Sequence, residues 1–298
     1  MKEATKIFGC LLVLEGLAFG AVPGILGDTP STPDKSAFNF FNPTPLNRLR
    51  ELSVDGPGAT ESPYTVDAGH FQIEMSFVDY TSERDTFDGD HFRFDGLVVA
   101  PMNLKVGLLN SLDLQILLEP YDHFYERDDF EGERTRVTRQ GFGSTTVRLK
   151  YNLCGNDSGP VALALTPFVR VPTSQEGIGS SIVEGGVTVP LAAKFPGEWH
   201  LGLTTRFTSA QDILGGTGRH AEFSNSIMLA HKLVGDLEGY VEYFSNVSTE
   251  KDVGWVSRFD TGLIWWLTDD WQLYAGMNVG LTKWADNWNF FVGYAWRY

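Results

Sequence analysis

The sequence predicts an all-β protein: a closed antiparallel transmembrane β-barrel of about 12 strands, with an N-terminal signal peptide and a short irregular or helical lead-in. Three observations support this fold class. Apolar and polar residues alternate almost continuously from residue 69 to residue 298. Short turns alternate with longer, more polar loops along the same region. The chain also ends on a strand with one strongly apolar face.

The bulk composition suits membrane strands and not membrane helices. The 298 residues are 42% hydrophobic, with a mean hydropathy of −0.14. No internal run reaches the roughly 18 uncharged apolar residues that a spanning helix needs. The net charge of −15 argues against nucleic acid as a partner. Two cysteines cannot build a disulfide scaffold or a CxxC metal site, and we expect no cofactor or metal.

The first 68 residues divide into two zones. Residues 1–20 have the pattern of a signal peptide, because Lys2 and Lys6 precede a short apolar run and small residues suit cleavage after Gly20. Residues 21–68 are rich in Pro, Gly, Ser and Thr, with one or two helical turns predicted at 46–52. This zone is either a periplasmic lead-in or a plug folded into the barrel.

The barrel is predicted over residues 69–298. Period-2 alternation defines each strand, and most runs reach the roughly 9–11 residues that a tilted strand needs to cross a bilayer. An even number of strands leaves both chain ends in the periplasm. The predicted strands cover residues 70–80, 92–108 (bent near Pro101), 112–125, 141–152, 161–171, 184–194, 199 onward, 222–233, 237–246, 255–267, 271–281 and 289–298.

The connections are sorted by length, as in outer-membrane barrels. The short ones are residues 109–111, 154–159, 196–198, 234–236 and 268–270. The longer polar ones are residues 82–91, 126–140, 173–183, 210–220, 249–254 and 282–288. Aromatic residues near the strand ends predict two girdles: Tyr151, Trp199, Trp265, Trp271, Trp296 and Tyr298 at the short-turn rim, and Tyr80, Tyr125, Phe207, Trp255, Trp284 and Trp288 at the other.

The last strand also predicts the location. Its aromatic and branched side chains share one face, as the strand that closes a barrel in lipid requires. The aromatic C-terminus resembles the signal that the barrel-assembly machinery reads. We therefore expect the bacterial outer membrane, with its lipid and that machinery as partners. The outward residues are Phe290, Val292, Tyr294, Trp296 and Tyr298, and Asn289, Phe291, Gly293, Ala295 and Arg297 face the other way.

The same alternation selects lumen-lining candidates, which carry charges of both signs. These charges either pair and seal the barrel or line a polar path with a constriction, since an unpaired buried charge is costly. The candidates are Gln72, Glu74, Asp113, Gln115, Glu119, Arg148, Lys150, Arg170, Arg206, Glu238, Glu242, Arg258, Asp260 and Arg297.

The sequence supports Ca²⁺ binding and phospholipase activity only weakly. Clusters of acidic residues occur in the loops at 85–90 and 128–131, but neither matches a full EF-hand, so solvated loops are the default and Ca²⁺ or a partner protein the alternative. His220 and Ser224 are four residues apart, whereas outer-membrane phospholipases need them two apart in His-x-Ser-Asn-Gly.

Three stretches carry a family resemblance. Residues 60–74 read Thr-Glu-Ser-Pro-Tyr-Thr-Val-Asp-Ala-Gly-His-Phe-Gln-Ile-Glu, residues 141–151 contain Gly-Phe-Gly and Arg-Leu-Lys-Tyr, and residues 166–173 read Thr-Pro-Phe-Val-Arg-Val-Pro-Thr. From residue 53 to 298 the chain resembles a family of outer-membrane transporters named for the meta pathway of phenol degradation. The family's Asp-Arg-Pro-Asp run is replaced here by Asp55-Gly-Pro-Gly58.

The resemblance implies a barrel that passes aromatic or other hydrophobic compounds, and its motifs are structural, with none catalytic. We therefore expect a channel for the passive passage of small, hydrophobic or aromatic solutes, and no enzymatic activity. A structural or adhesive barrel with a sealed lumen is the alternative. A phospholipase-like enzyme is a remote one.

Overall fold

A computed structural model describes residues 34–87, 90–130, 133–175, 177–212, 218–251 and 253–298. The predicted signal peptide, residues 1–20, lies outside the described residues, as do the first residues of the lead-in. Leu46–Arg48 form a 3-10 turn. None of the helical structure in the described residues is long and apolar enough to cross a membrane.

Fifteen strand segments make one sheet. In chain order they are β1 Phe71–Phe87, β2 Asp90–Val99, β3 Met102–Leu109, β4 Leu112–Leu118, β5 Tyr121–Phe130, β6 Glu133–Gly141, β7 Thr145–Cys154, β8 Val161–Val171, β9 Glu184–Phe195, β10 Trp199–Gln211, β11 Arg219–Val234, β12 Leu237–Ser248, β13 Val256–Thr268, β14 Trp271–Gly280 and β15 Trp288–Arg297.

Three short breaks turn 12 long strands into 15 segments. β2 and β3 both pair with β1 and are separated only by Ala100 and Pro101, where the ring of Pro101 removes a hydrogen-bond donor. β4 and β5 are likewise one strand, and so are β6 and β7, because β4 pairs with β7 and β5 with β6. The predicted count of 12 and the bend near Pro101 are confirmed.

Antiparallel pairing of β15 with β1 closes the barrel. The register runs from Gln72 opposite Arg297 to Ser82 opposite Trp288. At the short-turn rim, Phe71 and Tyr298 exchange two backbone hydrogen bonds of 3.1 and 2.8 Å. The closed ring leaves no free edge between the first and last strands.

Two predicted loops are wrong. The strands continue into both stretches: β1 reaches Phe87 and pairs with β2 from Asp90, and β5 reaches Phe130 and pairs with β6 from Glu133. Charged side chains pair on these hairpins: Arg139 donates to Glu126 at 2.7 Å, and Arg134 donates to Asp129 at 2.6 Å. The polar composition of these stretches predicted loops. They are instead strands that extend beyond the apolar band, and their charged side chains pair across them.

The outer surface carries an apolar band. On the last strand Val292 is 45% exposed, whereas its neighbour Phe291 is 7% exposed, so the predicted alternation of this strand is confirmed. Lipid is the solvent that can cover such a band. Other outward side chains in it are Phe77, Leu104, Val147, Leu149, Leu165, Val169, Leu203, Ile227, Leu229, Val241, Phe259, Leu263 and Phe290. All six aromatics predicted for the short-turn girdle are exposed.

Residues 34–70, named here the inner segment, contact the inner wall. Hydrogen bonds and ion pairs join them to strands around the ring, including β1, β4, β7, β10, β12 and β15. A segment that touches strands on all sides of a ring lies inside it. A parallel bridge between Ala68 and Gly107 holds the end of the segment against β3.

Candidate functional site

Asp55 of the inner segment is bound by two lysines of the wall. Lys150 Nζ lies 2.5 Å from Oδ1 and Lys105 Nζ lies 2.7 Å from Oδ2, and both lysine side chains are buried. Lys105 also contacts Glu74, which accepts the backbone N–H of Asp55 at 3.1 Å. Burial raises the pKa of Asp55, but the two ammonium groups outweigh burial and hold that pKa well below its usual range.

Glu61 makes a second ion-pair cluster, with two arginines. Its carboxylate oxygens accept from Arg148 and Arg206, and its backbone N–H donates to Thr204 Oγ1 at 2.9 Å. Burial raises the pKa of Glu61, but the guanidinium groups of Arg148 and Arg206 lower it by more, so the net shift is downward. Both clusters keep the inner segment charged and bound.

Glu242 on β12 accepts hydrogen bonds from the inner segment. The backbone N–H groups of Ala59 and Thr60 donate to its carboxylate at 2.8 and 2.6 Å. Thr60 Oγ1 also donates to Ser226 Oγ at 2.7 Å. Close approach depends on Gly202, where an added Cβ would lie 2.6 Å from Cγ2 of Thr60.

A third cluster lies at the short-turn rim. Lys35 Nζ is 3.1 Å from Asp67 and 2.9 Å from Asp157, and Arg50 also contacts both carboxylates, at 3.4 and 2.9 Å. Arg297 donates to the backbone oxygen of Arg50 at 2.7 Å. The inner segment is thus attached to the short turn that carries Asp157 and to the last strand.

Eight of the fourteen lumen-lining candidates contact the inner segment directly. They are Gln72, Glu74, Asp113, Arg148, Lys150, Arg206, Glu242 and Arg297.

The other six bond to the wall or line cavities. Gln115 donates to Asp113 at 3.0 Å, Arg258 to Asp260 at 3.0 Å, and Arg170 to Glu184 at 2.9 Å. Glu119 accepts from the backbone of Ser144 at 3.1 Å. Glu238 lies 3.9 Å from His200.

Three charged residues of the Asp55 and Glu61 clusters were not among the sequence candidates: Lys105, Asp55 and Glu61. Lys105 lies on an alternating run with Asn103 and Gly107, so the period-2 signal was present. Asp55 and Glu61 lie in a segment without periodicity, and no sequence signal indicates their partners.

The inner wall also carries an apolar cluster, on β11–β15. Aromatic rings face inward here because glycines on the neighbouring strands leave room for them. A Cβ added at Gly262 would lie 2.7 Å from the ring of Tyr240, and one at Gly293 would lie 2.7 Å from the ring of Tyr274. The cluster consists of Ala230, Tyr240, Ile264, Tyr274 and Phe291, with Met228 and Trp266 packed against it.

Three cavities lie along the lumen. The outer cavity, about 520 Å³, is lined by Glu119, Arg258 and Tyr274 among others. The side cavity, about 380 Å³, lies between the inner segment and the wall, and the rim cavity, about 700 Å³, opens among the short turns. Adjacent cavities share walls. Gly56 and Glu61 line both the outer and side cavities, and Arg50, Glu51, His200, Glu238 and Trp266 line both the side and rim cavities.

His220 and Ser224 are not joined as a hydrolase would require. His220 lies 3.2 Å from both Asp212 and Glu222, and 3.3 Å from Glu250. Ser224 Oγ donates instead to Asn246 at 2.8 Å. Among the residues considered for Ca²⁺, Asp129 is bound by Arg127 and Arg134.

One solved outer-membrane channel has the same fold. An outer membrane channel from Pseudomonas putida F1 superposes with a TM-score of 0.51 at 12% identity, covering 77% of this chain and 93% of that one. The NanC porin gives 0.44 at 10% identity (74% and 98% covered). The translocator domain of the autotransporter NalP from Neisseria meningitidis gives 0.46 at 10% identity (77% and 88%). No curated protein is similar to the chain in sequence.

Fold, surface and family agree on where the protein resides. A closed barrel with an apolar outer band needs lipid around it, so the protein is a barrel of the bacterial outer membrane. A family model described as "Putative MetA-pathway of phenol degradation" matches residues 54–298. That match covers most of the chain, including every strand of the barrel, and the chain belongs to this family.

Proposed function

We propose that the protein is an outer-membrane channel through which small, hydrophobic or aromatic solutes pass passively, moving around the inner segment while it stays bound. The observation that carries this proposal is the row of three cavities with shared walls, from the outer cavity through the side cavity to the rim cavity. The similarity to a solved outer membrane channel supports the general role and says nothing of the solute.

The ion pairs explain why the path goes around the inner segment. Releasing Asp55 or Glu61 would leave buried cations such as Lys150 and Arg148 without partners, which is strongly unfavourable. A solute that enters the side cavity breaks none of these contacts. The apolar side chains that line this cavity, among them Leu52, Met228 and Ile264, suit a solute that is itself apolar.

A sealed structural or adhesive barrel is the second candidate. It is favoured by the same buried ion pairs, which fill much of the lumen. The two functions differ in one measurable property, since a sealed barrel passes no solute whether or not its inner segment can move.

A disulfide across the lumen tests the proposal. In a C10S/C154S background, Thr60→Cys with Ser226→Cys joins the inner segment to β11, since the two hydroxyl oxygens are 2.7 Å apart. The measurement is the uptake of the fluorescent hydrophobic probe 1-N-phenylnaphthylamine by cells that express the protein. We expect uptake several-fold faster than in cells without the protein, and unchanged by oxidation of the pair.

Blocking the side cavity gives the matching control. Ala192→Trp fills the side cavity from β9 and should abolish the extra uptake, whereas Leu191→Trp, on the lipid-facing side of the same strand, should not. Uptake that stops on oxidation would mean that the segment must move. Uptake equal to that of cells without the protein would support the sealed barrel.

A further inference from the structure

Gln272 on β14 is a buried polar side chain with no hydrogen-bond partner. Its side chain is 0% exposed, and neither its Nε2 nor its Oε1 has a partner among the described residues. The residue lines the side cavity. A carboxamide in an apolar wall is costly unless something satisfies it, so this position needs a reason.

The cavity that Gln272 lines has a mixed wall, with Ser53, Thr60, Ser62, His200 and Glu238 among its other polar residues. Apolar side chains form much of the rest of the cavity: Leu52, Pro57, Met228, Ala230, Ile264 and Trp266. The charged groups at its edges already have partners. Arg50 contacts Asp67 and Asp157, Glu61 contacts Arg148 and Arg206, and Glu51 contacts Lys194. No charge is therefore left over among these groups to bind an ionic ligand.

We propose that the side cavity is a binding site for a small neutral molecule with an apolar body and one hydroxyl or carbonyl group, which Gln272 recognises. The carboxamide both donates and accepts, so either group can be bound. This assignment deepens the proposed function, on which it rests for the route by which the molecule arrives. At about 380 Å³ the cavity holds far more than the one water that would satisfy a lone amide.

The Gln272 carboxamide selects among solutes that the apolar walls would otherwise accept alike. A site built to hydrogen-bond one group discriminates against the analogue that lacks it, because the buried amide is then left unpaired. An ionised analogue is disfavoured as well, since it would lose its hydration without gaining an opposite charge.

Binding is measured on the full-length protein in detergent by ¹⁹F NMR, with protein-free micelles as the background. The probes are 4,4-difluorocyclohexanol, the same ring without the hydroxyl, and the same ring with a carboxylate. We expect the alcohol to bind about tenfold more tightly than the plain ring, as one hydrogen bond in an apolar site would give. The carboxylate should not bind.

Gln272→Leu keeps the side-chain volume and removes the unpaired amide, so it should fold. It should weaken binding of the alcohol about tenfold and leave that of the plain ring within twofold. Thr166→Val is the matched control, because Thr166 is also 0% exposed with an unpartnered hydroxyl, yet lines none of the three cavities. It should change neither affinity.

Equal affinities for alcohol and plain ring in the wild type, or an unchanged alcohol affinity in Gln272→Leu, would overturn the inference, and so would the absence of any binding. If cells take up the probe but the purified protein does not bind the alcohol selectively, the channel is supported and the binding site is rejected. Selective binding without uptake supports the site and rejects the channel.

Discussion

The two sides of the lumen wall behave differently toward the inner segment. On β3 and β7 the wall presents Lys105, Arg148 and Lys150, and these cations bind the carboxylates of the segment. On β11–β14 it presents Ala230, Ile264 and other apolar side chains, and there the side cavity remains between segment and wall. Both sides come from strands of the same barrel with the same alternation.

The difference shows that the positions of charges decide where the lumen is closed. The segment is held where it meets opposite charge, since separating those pairs would strand buried ions. On the apolar side it meets no opposite charge: Glu242 and Ser226 accept hydrogen bonds from Ala59 and Thr60, and beside these contacts space is left that an apolar solute can occupy. The following predictions break or sharpen this contrast, in order of decreasing effect.

Removing the last three residues should prevent closure of the barrel, and with it both the charged and the apolar side of the lumen. Without residues 296–298, β15 loses Trp296 and Arg297, which pair with Ile73 and Gln72 of β1, and the ring cannot close at the short-turn rim. We expect the heat-modifiable barrel to be absent from the outer membrane, as judged by gel shift of membrane fractions. Normal levels of the folded band would contradict the closure argument.

Neutralising the charged side should release the segment but keep the barrel. Asp55→Asn with Glu61→Gln removes the carboxylate partners of Lys150, Arg148 and Arg206, at a cost of about 3–5 kcal/mol for each broken buried pair, while Lys105 keeps its contact with Glu74. We expect single-channel conductance in planar bilayers to rise at least tenfold, with the barrel still resistant to SDS before heating.

Glu51→Gln is the control for this pair of substitutions. Glu51 lies in the same segment and pairs with Lys194 at 3.1 Å, but their side chains are 64% and 45% exposed. An exposed pair contributes about 0–1 kcal/mol, so the conductance should stay at the wild-type value. A similar rise in both variants would show that the buried clusters do not hold the segment.

Acid should also raise the conductance, but by less than the Asp55→Asn and Glu61→Gln substitutions do. The pKa values of Asp55 and Glu61 are held low in the bound segment, because their cationic neighbours outweigh burial. A depressed carboxyl pKa stabilises the bound state fully above the ordinary pKa of about 4. This stabilisation begins to fall below that pH and is lost only as the pH passes through the lowered pKa. Conductance should be flat from pH 8 to pH 5 and rise only below about pH 4. A rise centred near pH 6 would contradict the assignment.

A change on the apolar side should have the smallest effect on the segment. Ile264→Ala removes part of the wall of the side cavity and should cost about 2–5 kcal/mol of barrel stability or less, because the site is partly open. We expect a lower thermal midpoint and faster uptake of bulky apolar probes, with no change in the conductance step below pH 4. Loss of that acid step would mean that the two sides are coupled.

Much of the wall could be predicted from sequence, and the contents of the lumen could not. Alternation identified Gln72, Arg148 and Glu242 as inward, because a strand places successive side chains on opposite faces whatever its neighbours are. The hairpins around 82–91 and 126–140 were missed, because polar strands outside the apolar band have the composition of loops.

The chain by itself determined the number of strands, their apolar outer faces and the inward charges, since these follow from local alternation and turn spacing. Tertiary structure alone decided which charges meet. Asp55 pairs with Lys150, 95 residues away, and Glu61 with Arg148, 87 residues away. It also decided that Gln272 faces a cavity instead of a partner. Such pairings depend on barrel closure and on the path of the inner segment, and the segment has no periodicity that would reveal its path.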